Sequence, residues 1–195
     1  MGIHFLLFDG FETLDLFGPV EILNRLPGAE PHYLSVAGGD VISAQQTCIR
    51  TDRLGVPQGG ILLVPGGRGT RPLVHDAGFL AALRAAGHAA GHVLSVCTGS
   101  ALLAAAGLLD GRQATSNKRA LDWVKSTSDH VRWLDRARWA VDGKFYTSSG
   151  VSAGMDMCLS FIRDTYGEAP ARDIARAIEY VWNDNPAQDD FALPA

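Results

Sequence analysis

The sequence predicts an α/β fold in three layers, with a mostly parallel central sheet and helices on both faces. Three observations predict it. Residues 3–8, 60–64 and 92–96 are short, nearly continuous apolar runs, as expected of strands buried on both faces. Each run is followed by a turn signal: Asp9-Gly10, Pro65-Gly66-Gly67 and Cys97-Thr98-Gly99. Apolar residues at helical spacing come next, so strands alternate with crossover helices and neighbouring strands run parallel.

In chain order, residues 3–8 form the first strand. Val20, Leu23 and Leu26 mark a helix after it, with Pro19 near its start. Three acids, Glu12, Asp15 and Glu21, stand in the intervening loop or near that helix start. In a parallel sheet this loop leaves the carboxyl end of a strand, where sites form. Taken alone, Asp15 reads equally as a helix cap, and Glu12 and Glu21 as a solvated face or dipole partners. Residues 32–37 predict a second strand, and residues 41–54 short irregular strands that include Cys48. After the strand at 60–64, the Gly-rich loop through Arg68, Gly69 and Thr70 can turn backbone N–H groups inward as an anion-binding nest. It can equally be a plain tight turn, and it lacks the spacing of a dinucleotide fingerprint.

Phe79, Leu80, Leu83, Ala86 and Ala90 share one face, which predicts a crossover helix over 76–90 with His75 and His88 exposed. Beyond the strand at 92–96 and an Ala- and Leu-rich helix, residues 113–116 predict a short strand, and residues 118–125 a helix with Ala120, Leu121 and Val124 inward. Residues 133–141 predict one strand, turned by Asp142-Gly143 into a return strand at 145–148. Residues 149–154 open a helix that continues through Met155, Leu159 and Ile162; residues 169–181 form the last helix, and residues 182–195 a polar tail. Repeats and linkers are absent, so residues 1–195 are expected to form a single domain.

The totals bound the function. A chain of 195 residues buries roughly 70% of its unfolded surface without staples. A net charge of −4 and the lack of a basic patch argue against nucleic acid as a partner. The longest apolar run falls far short of the ~20 residues of a membrane span. The N-terminus lacks the basic region of a signal peptide, and three widely spaced cysteines, Cys48, Cys97 and Cys158, fit a reducing cytoplasm better than a disulfide framework. Metal-ligand spacing does not occur, and neither metal nor cofactor is expected.

Cys97 sits where a buried strand turns into a helix, with Gly99 two residues on. Such a position can expose a nucleophile above a sheet and, near a helix N-terminus, lower a thiol pKa. A small apolar core residue would leave the same local pattern.

Four segments decide between these. Thr13-Leu14-Asp15-Leu16-Phe17-Gly18-Pro19, Val64-Pro65-Gly66-Gly67, Ser95-Val96-Cys97-Thr98-Gly99-Ser100 and residues 147–156 resemble, in this order, the ThiJ/PfpI superfamily of class I glutamine-amidotransferase-like proteins. The resemblance runs from residue 3 to about residue 180 and implies a flavodoxin-like fold with Cys97 in the active site. The form of the motifs around Asp15 and Cys97 is most similar to isocyanide hydratases. Many members carry a His where this chain has Asn117, and none of its six histidines stands there. His92 begins the strand that carries Cys97, ~16 Å away at its far end. A Cys-His peptidase is therefore disfavoured.

The resemblance implies a cysteine-dependent enzyme that hydrates isocyanides to N-substituted formamides. Cys97 would be the nucleophile, and Asp15 the acid/base, its pKa raised by burial beside the sulfur. The backbone N–H groups of Gly67 and Thr98 would form a polar cradle, Gly66 would shape the loop, and Asn117 would complete the substrate site. The expected partners are a small-molecule substrate and a second copy in a homodimer. Three alternatives stay open: a glyoxalase- or amidase-like hydrolase on the same site, a redox sensor, and a ligand-binding regulatory domain. The last expects a separate DNA-binding partner, since the 195 residues leave no room for such a module. Trp123, Trp133, Trp139 and Trp182 read as core or interface packing.

Overall fold

The computed structural model describes residues 1–56 and 58–192. Its elements are β1 (Gly2–Leu6), α1 (Thr13–Leu23), β2 (Glu30–Ser35), β3 (Gly39–Ile42), β4 (Cys48–Arg53), β5 (Ile61–Val64), α2 (Thr70–Leu73) and α3 (Ala77–Ala89). There follow β6 (His92–Ser95), α4 (Gly99–Ala105), β7 (Gln113–Ala114), a 3-10 turn at Lys118–Ala120, α5 (Leu121–Lys125) and β8 (Arg132–Trp133). The last are β9 (Trp139–Asp142), β10 (Phe145–Ser148), α6 (Ala153–Tyr166) and α7 (Glu168–Ala177).

Eight strands form one sheet in the order β3-β4-β2-β1-β5-β6-β10-β9. The six central strands are parallel to their neighbours, and β3 and β9 join antiparallel at the two edges. This is the expected α/β architecture. Its centre is apolar because β5 is buried along its whole length and β1 and β6 nearly so, leaving only helix faces to pack against them. Leu16, Ile22 and Leu23 of α1, Leu83 of α3, Leu102 and Leu103 of α4, and Phe161 of α6 belong to the continuous core that results. Asp76 caps α3 by accepting a hydrogen bond from Phe79 N at 2.9 Å, which fixes the predicted start of that helix.

Two expectations are corrected. Residues 133–141 are not one strand: β8 pairs with β7 in a separate two-stranded sheet, and β9 belongs to the main sheet. Between them Arg138 donates its backbone N–H to Pro186 O at 2.7 Å and places its guanidinium on Asp156, which breaks the strand. The polar tail is not free as far as it is described. Asn183 N donates to Asp156 at 3.0 Å, and the Asp189 carboxylate is wholly buried beside Lys118 and Arg138. The tail's last residues, 193–195, lie outside the described residues.

Candidate active site

Four loops meet at the carboxyl edge of the sheet. They follow β1, β5, β6 and β10, which lie as neighbours or near neighbours in the parallel part. Glu12 N donates to Gly66 O at 2.8 Å, joining the first loop to the second. Cys97 N donates to Ser149 O at 3.1 Å, joining the third to the fourth. Cys97 stands in the left-handed region at φ 57°, a conformation that costs a non-glycine residue energy and marks a sharp elbow. Gly99 N bonds back to Val96 O at 3.0 Å to close that turn.

Asp15 lies in the first turn of α1 but does not cap it; Glu12 occupies the cap position. The carboxyl is fully buried. Its Oδ2 accepts from Gly66 N at 2.9 Å, while Oδ1 has no hydrogen-bond partner among the described residues. Burial pushes its pKa up to about 7, helped by the Glu12 charge and opposed by Gly66 and the nearby Cys97 thiol. Any Cβ at position 66 would come within 3 Å of both Thr98 N and Asp15 Oδ2, so only glycine lets these groups close on one another.

The Cys97 thiol is shifted the opposite way from the sequence expectation. Burial, reinforced by the Asp15 charge, pushes it up to about 12. Thr98 N–H, Val151 N–H and the Asn117 side-chain amide face the sulfur and favour the thiolate, but they do not outweigh burial. The helix behind it, α4, has only seven residues and begins at Gly99, so it adds little to these direct donors. The resting pair at neutral pH is thus a thiol beside a carboxyl close to its midpoint.

The polar cradle is corrected at Gly67, while Thr98 N–H faces the sulfur. Gly67 N–H is already donated to Thr98 Oγ1 at 3.1 Å, and Gly66 N–H to Asp15. The Thr98 hydroxyl lies 3.2 Å from that of Thr70, inside the same loop network. Asn117 accepts from Ala120 N at 3.2 Å, capping the 3-10 turn, and its amide nitrogen occupies the space that a side chain at Gly150 would need. It can donate toward the sulfur but cannot take a proton from it.

A cleft of ≈ 420 Å³ opens over the sulfur, lined by Gly67, Arg68, Arg71, Cys97, Thr98, Asn117, Arg119 and Ala120. Asp15 lies beneath this surface rather than on it, and histidine is not among the lining residues. The structure therefore brings Cys97, Asp15, Gly66, Gly67, Thr98 and Asn117 together. Glu21 pairs instead with Arg25, just past the end of α1, and Glu12 accepts from Gln45 at 2.8 Å. The three arginines and the Val151 N–H were missed in the sequence. Arg68 and Arg71, three apart beside the Gly-rich loop, carried a signal; Val151 carried none, because its contribution is backbone.

Among the described residues, no group of three or more His, Cys, Asp or Glu side chains could hold a metal ion, and no helix is long and apolar enough to cross a membrane. The model of the DJ-1/PfpI family matches residues 1–164. The chain is 33% identical over 183 residues to the isonitrile hydratase of Pseudomonas putida, covering 91% of this chain and 78% of that protein. It is 34% identical over 190 residues to the HTH-type transcriptional regulator GbdR of Pseudomonas aeruginosa, covering 92% of this chain but spanning only 50% of the regulator. The crystal structure of a ThiJ/PfpI family protein from Pseudomonas syringae superposes with a TM-score of 0.84 at 30% identity, over 93% of this chain and 76% of that one.

Proposed function

The chain belongs to the DJ-1/PfpI family, and from that premise we propose that it hydrates isocyanides to N-substituted formamides, with Cys97 as nucleophile and Asp15 as proton carrier. The observation that carries this reading is the pairing of a buried thiol with a buried carboxyl whose Oδ1 has no partner among the described residues. The isonitrile hydratase relative supports the substrate class.

The chemistry needs one mobile proton, and the pair holds one when Asp15 is ionised and Cys97 is a thiol. Asp15 takes the thiol proton as sulfur attacks the terminal carbon of R–N≡C, and that proton passes to the same carbon, giving the thioimidate R–N=CH–S–Cys97. The N–H groups of Thr98 and Val151 and the Asn117 amide hold the negative charge on sulfur during the attack. Water then adds to the carbon, the nitrogen takes a proton, the C–S bond breaks and R–NH–CHO leaves with the thiol restored. Asp15 lies below the sulfur, so its proton reaches the substrate beside the C–S bond.

A formamide assay on an alkyl isocyanide tests the reading with the native protein, Cys97→Ala and Asp15→Asn. Turnover in the native protein, reduced about a thousandfold in each variant, is the expected result. An inert native protein would overturn the hydratase reading, and full turnover in Cys97→Ala would move the site elsewhere. The match to GbdR supports a second reading, a ligand-binding domain of a regulator, which expects an inert native protein that nonetheless binds a small molecule. Redox sensing is disfavoured, because it calls for an exposed thiolate and Cys97 is a buried thiol.

A further inference from the structure

The cleft over Cys97 inverts the charge of the molecule. The chain carries a net −4, yet Arg68, Arg71 and Arg119 line this one opening and its lining includes no acidic side chain. Eight of the eleven other arginines, Arg25, Arg50, Arg112, Arg132, Arg138, Arg163, Arg172 and Arg176, meet carboxylates; Arg84 bonds Ala106 O, and Arg53 and Arg136 stand singly rather than converging on one opening. Among the described residues, Arg68, Arg71 and Arg119 form no salt bridge and no side-chain hydrogen bond. Arg71 is nevertheless fixed in place. Its guanidinium carbon lies 3.3 Å from the centroid of the Trp123 ring, which holds the plane and leaves the in-plane N–H donors free. Arg71 and Cys97 line the same cleft. Two of these cations come from the loop and helix after β5 and the third from the 3-10 turn, so two separate segments of the chain bring positive charge to one cleft.

We infer that this cleft selects substrates bearing a carboxylate, held by the Arg71 fork with Arg68 and Arg119 beside it, while the reacting carbon rests on Cys97. A stacked, planar guanidinium with unused donors matches a carboxylate in two parallel hydrogen bonds. The inference rests on the hydratase reading for its reaction, which becomes ⁻OOC–CH₂–N≡C plus water giving ⁻OOC–CH₂–NH–CHO for the shortest member. The anion preference itself does not depend on that reaction.

Two measurements separate the two ideas. In the first, isocyanoacetate is compared with its ethyl ester as substrate. The anion is expected to be favoured about tenfold in kcat/KM at low salt, with the preference shrinking in about 0.5 M salt and in Arg71→Gln. An ester turned over as well as the anion would overturn the inference; failure of both isocyanides would overturn only the hydratase reading. In the second, Cys97 is alkylated with iodoacetate and with iodoacetamide and followed by peptide mass spectrometry, with exposed Cys48 as the internal reference. The iodoacetate-to-iodoacetamide rate ratio is expected to be higher at Cys97 than at Cys48, to fall about tenfold in Arg71→Gln, and to keep its native value in Arg53→Gln on β4. A ratio at Cys97 no higher than at Cys48, a ratio unmoved by Arg71→Gln, or a Cys97 inert to both reagents would overturn it.

Discussion

Asp15 is a carboxyl that folding makes harder to ionise, and both the stability and the activity of the protein should register that. Unfolded, the group titrates at the ordinary carboxyl value of 3.8; folded, at about 7. A raised carboxyl pKa means the folded state holds its proton longer. The stabilisation is therefore complete below the unfolded value and is lost as pH rises through the folded one, at about 1.4 kcal/mol per unit. In Asp15→Asn the side-chain oxygen can keep the bond from Gly66 N without ever carrying charge. Urea titrations should show this variant gaining on the native protein between about pH 4 and pH 7, by a few kcal/mol in all, with a constant gap above. A gap independent of pH would mean that Asp15 is not held in its protonated form. Catalysis runs the other way. Below about 7 both thiol and carboxyl are protonated and the pair has no base, so kcat/KM for an isocyanide should rise through about 7 and level off. A rate that instead fell across this range would require protonated Asp15 as the working form.

At the scale of elements, the site is a product of where strands stop. β1, β5, β6 and β10 end together, so each loop leaving them delivers one or two groups to the same edge. Asp15, Gly66, Thr98, Cys97 and Asn117 could be named from the sequence through the family resemblance; local pattern alone left Asp15 equally a helix cap and Cys97 equally a core residue. The thiol's pKa could not be read. It depends on burial and on Asp15, which are tertiary, and the elbow alone suggested a lowered value. The arginine-lined cleft was hidden for a related reason: Arg71 of α2 and Arg119 of the 3-10 turn are 48 positions apart, and surface charges follow no periodicity that would join them. The elbow stores strain that can be measured. Cys97→Ala and Cys97→Gly both remove the sulfur, but only glycine adopts φ 57° without cost. Cys97→Gly should be more stable than Cys97→Ala by about 1 kcal/mol in chemical denaturation. Equal stabilities would mean that the neighbouring loops, rather than the backbone angle of Cys97, bear the strain.

Across the whole molecule, the chain returns at its end to brace this edge. The segment from Asn183 to Ala192 belongs to what reads in sequence as a polar tail, and only the fold shows where its charges go. Asp189 is buried 3.9 Å from Lys118 Nζ and 3.8 Å from Arg138, and Arg138 in turn holds Asp156 at the start of α6. Tyr180 donates to the same Asp156 at 3.0 Å, so tail, sheet edge and helix share one network. Lys118 follows Asn117 directly, and Phe191 lines a small cavity with Asn117, Gly150 and Val151, which places the tail against the residues that face the sulfur. Burial lowers the Lys118 pKa to about 8, opposed by Asp189 and Asp135. Asp189→Asn would leave buried Lys118 without its ion-pair partner and Arg138 with Asp156 alone, and at pH 6 this should cost about 3 kcal/mol of stability. Because Lys118 gives up its proton near pH 8, the penalty should shrink by pH 9, Arg138 remaining charged throughout. Urea unfolding of the native protein and the variant at both pH values measures it. A penalty that stayed constant would place the cost on Arg138 alone. No penalty at all would show that the tail rests on the molecule without bracing it.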